Sequence, residues 1–159
     1  MTAAKLQHEI KKKHPFEMLE QEAALNILRT NDRLSIRFAR LFRDHGLTPS
    51  QYNVLRILRG EGAPLPILEI ASRTITVVPG ITGLIDRLER DGFAKRVRCE
   101  EDRRVIFVAL LEKGEKVVNA LDQPIRVLHK EVMKHLTRRE LAELIRLLEK
   151  VRESLAPEA

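Results

Sequence analysis

Apolar side chains recur every three or four residues through most of this chain, a spacing that predicts a mainly helical protein. The first long helix is predicted over residues 15–45, because Pro15 suits a first helical turn and Gly46 suits a helix end. A short separate helix is predicted before it, over residues 6–13. A helix of about 30 residues is long for a small domain, so it is expected to pack against a partner.

Three shorter helices follow, predicted over residues 48–60, 66–73 and 78–91. The first of them opens with a capping box, in which the Thr48 hydroxyl can accept a hydrogen bond from the Gln51 N–H while the Gln51 side chain returns to the Thr48 backbone. Residues 74–77, which are β-branched, are predicted to form a turn before the third helix. Gly92 is the expected end of that helix.

The hydrophobic period changes after these helices. Residues 93–98 and 104–111 have the character of strands, and the second of them alternates in the way that strands do. A polar segment, residues 99–103, separates them. The pattern therefore predicts a β-hairpin with a charged tip.

Two more helices are predicted after the hairpin. One covers residues 112–135, and Thr137 with Glu140 forms a second capping box that opens the last helix. The last helix carries an apolar stripe made of Leu141, Leu144, Ile145, Leu147, Leu148, Val151 and Leu155. This stripe and the long first helix exceed what one small core can cover, so we expect the chain to form a homodimer through its terminal helices.

Three short helices followed by a charged hairpin is the element order of a winged helix-turn-helix. The predicted fold class is mainly α with a small β-hairpin wing. Residues 47–111 are predicted to form the DNA-binding domain, flanked by dimerisation helices in residues 1–46 and 112–159. Such a module places its third helix in the major groove of DNA, while the hairpin tip reaches the backbone or the minor groove.

Composition changes this picture little. The 159 residues carry a formal net charge of +6, but the predicted winged module itself holds ten basic and eight acidic residues. A DNA-binding surface must therefore arise from geometry that gathers basic groups on one face. No apolar run approaches the roughly 20 residues of a membrane span, and a single cysteine, Cys99, suits a reducing cytoplasm. A redox role and a purely structural role for Cys99 both fit the sequence.

A collinear set of short motifs runs through residues 47–114. They are Leu47-Thr48-x-x-Gln51-x-x-Val54-Leu55, Glu69-Ile70-Ala71, Ile81-Thr82-x-Leu84-Ile85-Asp86-Arg87-Leu88-Glu89-x-x-Gly92-Phe93, Asp102-Arg103-Arg104-x-Ile106 and Glu112-Lys113-Gly114. In these motifs the chain resembles the MarR family of bacterial transcriptional regulators. The resemblance implies a homodimer on a pseudo-palindromic operator. It also implies a repressor that is released by a small phenolic or lipophilic ligand, a metal or an oxidant.

The candidate DNA contacts come from the wing and from the third helix of the module. Arg104 can enter a narrow minor groove, and Asp102 can orient it. The start of the third helix departs from the family pattern, because Val77, Val78, Pro79, Gly80 and Gly83 offer no side-chain hydrogen bonds to bases. Direct readout is therefore expected from Thr82 and Arg87, with Thr76 as a further candidate, helped by close backbone approach at the glycines and apolar contact with thymine methyl groups. The candidate contacts are Arg104, Arg103, Asp102, Thr82, Arg87, Gly80, Thr76 and Thr48.

Other functions receive less support from the sequence. It has no glycine-rich phosphate loop, no nucleophile motif and no cluster of metal ligands, so neither an enzyme nor a bound cofactor or metal is predicted. A winged helix that contacts only proteins or RNA remains the alternative to operator recognition. A pocket for a small-molecule effector is expected where the first long helix, the helix after it and the fifth helix meet the winged module.

Overall fold

The computed structural model describes residues 6–98 and 105–155. In this part of the chain, helices and strands follow one another as α1 (Leu6–Glu9), α2 (Leu19–Arg43), α3 (Pro49–Glu61), β1 (Leu65–Pro66), α4 (Ile67–Ser72), α5 (Ile81–Arg90), β2 (Ala94–Arg98), β3 (Ile106–Leu110), α6 (Glu112–Val132) and α7 (Arg138–Glu153). The strands form one antiparallel sheet in the order β1-β3-β2. The predicted fold class, mainly helical with a small hairpin wing, is confirmed. None of the described helices combines the length and the apolar character that crossing a membrane requires.

The sheet contains the predicted hairpin and one strand that was not predicted. β2 and β3 pair along their whole length, and the last pair toward the tip is Arg98 opposite Ile106. On the other side of β3, Leu65 of β1 lies opposite Val108. Two residues, one of them a proline, are too few to show the alternation of apolar and polar side chains that predicts a strand. β1 is defined by its pairing with the edge of β3.

The start of the long helix α2 differs from the prediction. It begins at Leu19 rather than at Pro15. The Pro15 carbonyl accepts a hydrogen bond from Lys12 Nζ at 3.2 Å, and the same ammonium lies 5.5 Å from the centre of the Phe16 ring. Met18 has an extended backbone, with φ −133° and ψ 137°, so the helix does not extend back to Pro15. At the other end, Gly46 adopts a left-handed φ of +74°, so the predicted glycine stop is confirmed.

Both predicted capping boxes are present. The Gln51 N–H donates to Thr48 Oγ1 at 3.2 Å, and the Thr48 N–H donates to Gln51 Oε1 at 2.9 Å. In α7, the Glu140 N–H donates to Thr137 Oγ1 at 3.3 Å, and the Thr137 N–H donates to a Glu140 carboxylate oxygen at 2.7 Å. Each box satisfies N–H groups that the first turn of a helix leaves unpaired.

The helix predicted over residues 78–91 begins later than expected. α5 starts at Ile81, because Gly80 adopts a left-handed conformation with φ +68° and ψ 43°, which an α-helix does not continue through. Val78 and Pro79 therefore belong to the turn before the helix. The helix that follows the hairpin, α6, ends at Val132 and not at residue 135.

The hydrophobic core joins the winged module to its flanking helices. Leu55 of α3, Ile85 of α5, Val108 of β3 and Leu121 of α6 are completely buried, and Phe42 at the end of α2 packs with them. By contrast, α7 has no buried residue. The apolar stripe of α7 therefore remains exposed in the single chain.

A polar contact also connects α3 with α6. Both guanidinium nitrogens of Arg59 donate to the Asp122 carboxylate, at 2.9 and 2.8 Å, and one of them also donates to Asn119 Oδ1 at 2.8 Å. The Arg59 hydrogen bond is the main reason why the pKa of Asp122 lies below its ordinary value. The planar fork of arginine holds the two helices in a defined orientation.

Candidate nucleic-acid interface

α5 has a buried side and an exposed side. Leu84, Ile85 and Leu88 lie in the core, and no more than 2% of any of them is exposed. Thr82 and Arg87 are exposed on the outer side. Two of the predicted contact residues therefore belong to the surface that α5 offers to a partner.

The turn that leads into α5 is largely exposed. The side chain of Val77 is 91% exposed, and Thr76 is also exposed. Gly80 occupies the N-cap position and provides no side-chain hydrogen bond to the first turn of the helix. The first N–H groups of α5 therefore receive no cap from this residue.

Arg96 of β2 connects the wing to α5. Its guanidinium lies 2.6 Å from Asp86 Oδ1 and 2.8 Å from Glu89 Oε2, and the same group donates to the Thr82 carbonyl oxygen at 3.3 Å. The Arg96 N–H donates to the other Glu89 carboxylate oxygen at 3.0 Å. We call these four residues the Arg96 clamp.

The clamp changes the electrostatics of the exposed side of α5. Its two carboxylates would otherwise repel a polyanion, but both are paired with one guanidinium. The backbone hydrogen bond from Arg96, and then its side-chain hydrogen bond, lower the pKa of Glu89 below its ordinary value. In the sequence, Arg96 is one of the ten basic residues of the predicted module, and nothing local singles it out. The acidic pair three residues apart, Asp86 and Glu89, was the only local signal that a basic partner was needed.

The predicted wing tip lies outside the described residues. Asp102, Arg103, Arg104 and Cys99 all belong to it. The strands on either side of it are paired up to Arg98.

The remaining candidates, Thr48 and Thr76, are not part of α5. Thr48 is exposed at the start of α3, where its hydroxyl oxygen accepts the capping hydrogen bond. Thr76 lies in the turn before α5 and lines a cavity together with Pro49, the residue that follows Thr48. In the described part of the chain, no three histidine, cysteine or acidic side chains are grouped to hold a metal ion.

That cavity has a volume of about 360 Å³ and lies between α2, α3, α6 and the turn before α5. This is the location in which the sequence analysis expected a pocket. The lining was not predicted; it consists of Asn31, Leu34, Ser35, Phe38, Phe42, Pro49, Tyr52, Asn53, Arg56, Ile75, Thr76, Ile125 and His129. The volume is within the range of small-molecule sites, which are mostly apolar with a few placed polar groups.

Aromatic side chains form one wall of the cavity. The rings of Phe42 and Tyr52 stack with their centres 4.3 Å apart, and the Phe38 ring lies 4.9 Å from the His129 ring. Burial raises the pKa of Tyr52 above its ordinary value, so this phenol is neutral and able to donate a hydrogen bond. The guanidinium of Arg56 supplies a positive charge at the lining.

Comparison with known proteins agrees with this geometry. The sequence model of the MarR family matches residues 47–106. The HTH-type transcriptional regulator YkoM of Bacillus subtilis is 32% identical over 117 residues, which cover 71% of this chain and 75% of YkoM. The crystal structure of a MarR transcription factor from Planctomyces limnophilus shares 42% identity with a TM-score of 0.65, over 85% of this chain and 98% of that one. The chain belongs to the MarR family.

A third MarR-type relative extends the match beyond the winged module. The homoprotocatechuate degradative operon repressor of Escherichia coli is 24% identical over 131 residues, which cover 82% of this chain and 88% of the repressor. These relatives are transcriptional regulators and not enzymes, in agreement with the sequence analysis. In the order of elements along the chain, α5 occupies the position of the recognition helix of a winged helix-turn-helix, and the β2–β3 hairpin occupies the position of its wing. We call these two elements the recognition helix and the wing.

Proposed function

We propose that this MarR family protein binds operator DNA as a homodimer and represses transcription until a small molecule releases it. The observation that carries the proposal is the exposed side of α5, where Thr82 and Arg87 face outwards while Asp86 and Glu89 are paired with Arg96. A helix with this charge distribution can enter the major groove with both acidic groups held by one guanidinium, which offsets part of their negative charge. The Escherichia coli relative is a repressor, which supports the proposed direction of regulation. A regulator of this kind works in the cytoplasm, where it reaches the chromosome.

The proposed contacts divide between two grooves. Thr82 and Arg87 are proposed to contact base edges in the major groove. Asp102, Arg103 and Arg104 are proposed to bring the wing to the backbone and the minor groove. The other proposed contacts, which lie at the starts of helices or in the turn before α5, are Thr48, Thr76 and Gly80.

The direct test of the proposal is binding to duplex DNA as a function of salt. A duplex is selected from a random pool with the protein, and its affinity is measured by fluorescence anisotropy over a series of salt concentrations. A protein that neutralises several phosphates shows a steep linear fall of log affinity with log salt concentration. A flat dependence would instead favour a winged helix that docks on proteins. Stronger binding to duplex RNA of the same sequence would favour the RNA alternative.

Replacing Arg104 with alanine is expected to weaken binding to the selected duplex by about tenfold at fixed salt, because a minor-groove arginine is lost from each subunit. Arg104→Lys keeps the charge but loses the planar guanidinium, so its affinity should fall between those of the wild type and Arg104→Ala. If Arg104→Ala and the wild type bound the duplex with equal affinity, Arg104 would not contribute to DNA binding.

The proposed dimer rests on apolar surface that the single chain leaves exposed. A groove between α2 and α7 is lined by Ile27, Leu144, Leu147 and Val151, each of which is between 36% and 45% exposed. A contiguous exposed apolar surface on a soluble protein commonly marks an interface. Burying it against a second subunit contributes about 25 cal/mol of favourable free energy per Å² of apolar area. Two-fold symmetry would then present two recognition helices to successive turns of DNA.

The dimer can be tested by light scattering. The wild type is expected to have twice the 18.3 kDa chain mass at micromolar concentration. Leu147→Glu should shift the protein to the monomer, because it introduces a charge into the apolar groove. Arg146→Glu also adds a carboxylate to α7, but on the polar side of the helix, and should leave the dimer intact. A monomeric wild type would overturn the proposed geometry of binding.

The cavity beside Phe38 and Tyr52 is the proposed effector site. Its aromatic wall fits a flat apolar ligand, and Arg56 with His129 could fix a polar or acidic substituent. The structure of the organohalide-sensing regulator RdhR-CbdbA1625, which is 20% identical with a TM-score of 0.79, holds 2,4-dichlorophenol. Thr76 lines the cavity and precedes α5, so a ligand there would contact the segment that leads into the recognition helix.

A further inference from the structure

The recognition helix contains a glycine for which the described structure provides no internal reason. Glycine is less favourable than alanine inside a helix, because it loses more conformational freedom on folding. Gly80, just before the helix, has a left-handed φ of +68° that explains its presence. Gly83 is the third residue of α5 and does not have a positive φ. A Cβ atom built on Gly83 would meet no heavy atom within 4 Å.

The position of Gly83 points to the outer surface of the helix. At 3.6 residues per turn, Gly83 lies one turn before Asp86 and Arg87, on the side of α5 that faces away from the buried Leu84 and Leu88. A side chain here would project into open space, away from the core. The missing side chain therefore leaves a low area beside Arg87, on the same outer side of α5 that carries Thr82.

We propose that Gly83 allows the edges of the base pairs to approach the backbone of α5 more closely than any side chain would permit. This inference rests on the proposed DNA-binding function and makes Gly83 a determinant of how deeply the helix enters the major groove. A helix that lies deeper brings the short side chain of Thr82 within reach of base edges. The side chain of Arg87 is long and flexible, so its contacts with base edges depend less on how deeply the helix enters the groove.

The test compares Gly83→Ala with a matched control, Gly60→Ala. Gly60 also lies inside a helix, α3, without a positive φ, and a Cβ there would likewise meet nothing within 4 Å. Both variants are expected to melt at a temperature equal to or up to about 4 °C above that of the wild type, since alanine favours the helix. For the selected duplex at fixed salt, Gly83→Ala should bind about tenfold more weakly, while Gly60→Ala should bind as the wild type does.

A larger residue sharpens the test, because Gly83→Leu should weaken binding further than Gly83→Ala while the protein remains folded. Loss of affinity in a variant of undiminished melting temperature separates steric exclusion of DNA from misfolding. Wild-type affinity in Gly83→Ala would overturn this inference and leave the proposed function standing. A lowered melting temperature in Gly83→Ala would also overturn it, because the glycine would then serve the fold. If the wild type binds no duplex, the proposed function fails, and this inference fails with it.

Discussion

Replacing Arg96 with alanine is expected to lower the affinity for the selected duplex by about tenfold or more at fixed salt. The substitution removes the only guanidinium seen to pair with both Asp86 and Glu89 in the described part of the chain. Two carboxylates on the exposed side of α5 would then face the phosphates without a positively charged partner from Arg96, which opposes binding. It also removes the hydrogen bonds of the Arg96 side chain to α5, which weakens the connection between wing and recognition helix and leaves only the hydrogen bond from the Arg96 N–H to Glu89.

A rescue experiment separates the two effects of the Arg96 substitution. Adding Asp86→Asn and Glu89→Gln to Arg96→Ala removes the repulsion but does not restore the connection between wing and helix. Recovery of affinity in this triple variant would assign the loss to charge, and no recovery would assign it to positioning. Affinity unchanged in Arg96→Ala alone would show that the clamp has no role in binding.

The clamp has a second readout in the pH dependence of stability. The pKa of Glu89 lies below its ordinary value in the folded protein, so its contribution to stability is present above the ordinary pKa of glutamate. This contribution is lost as the pH falls through the lowered folded-state pKa. The loss of stability in mild acid should therefore be smaller in Arg96→Ala than in the wild type, as measured by denaturant unfolding across that pH range.

Gly114→Ala is expected to destabilise the protein by about 3 kcal/mol, the largest effect on folding that we expect from any single added methyl group. A Cβ at Gly114 would overlap the Phe93 carbonyl oxygen and lie 2.8 Å from Leu110 Cδ1. The same carbonyl accepts a hydrogen bond from the Leu111 N–H at 3.0 Å, so the backbone can move away only by breaking this contact. Because the obstacle is backbone and not the end of a flexible side chain, local relaxation gives little relief.

Denaturant unfolding at one protein concentration measures this loss, with Gly60→Ala as the control that adds the same methyl group in open space. The Gly114→Ala midpoint should fall sharply, while the Gly60→Ala midpoint should stay the same or rise. Equal midpoints for Gly114→Ala and wild type would contradict the close packing of α6 on the start of the wing.

Much of the fold follows from local patterns that the sequence contains in full. Each capping box needs only residues three positions apart, such as Thr48 and Gln51, so it can be read without knowledge of the rest of the chain. The same holds for the glycine stop at Gly46 and for the alternation that marks the hairpin. The start at Pro15 was wrong because the backbone at Met18 is extended, with φ −133° and ψ 137°, so the helix begins only at Leu19.

The candidate site depends more on residues that folding brings together. The sequence identified the recognition helix and the exposed residues Thr82 and Arg87, because amphipathic spacing alone separates the outer side of a helix from its inner side. It did not identify the role of Arg96, whose partners lie on a different element. It also did not identify the cavity lining, which combines Phe38, Tyr52 and Thr76 from three distant segments.

The glycines show most clearly what the sequence determines and what the tertiary structure determines. The sequence by itself determined that the chain folds as helices around a hairpin, since helix ends and strand alternation are short-range properties. Only the tertiary structure distinguished Gly114, pressed against the Phe93 carbonyl, from Gly83, which faces open space. The physical reason is that the cost of a side chain depends on which atoms of other segments occupy the space around it, and folding alone decides that.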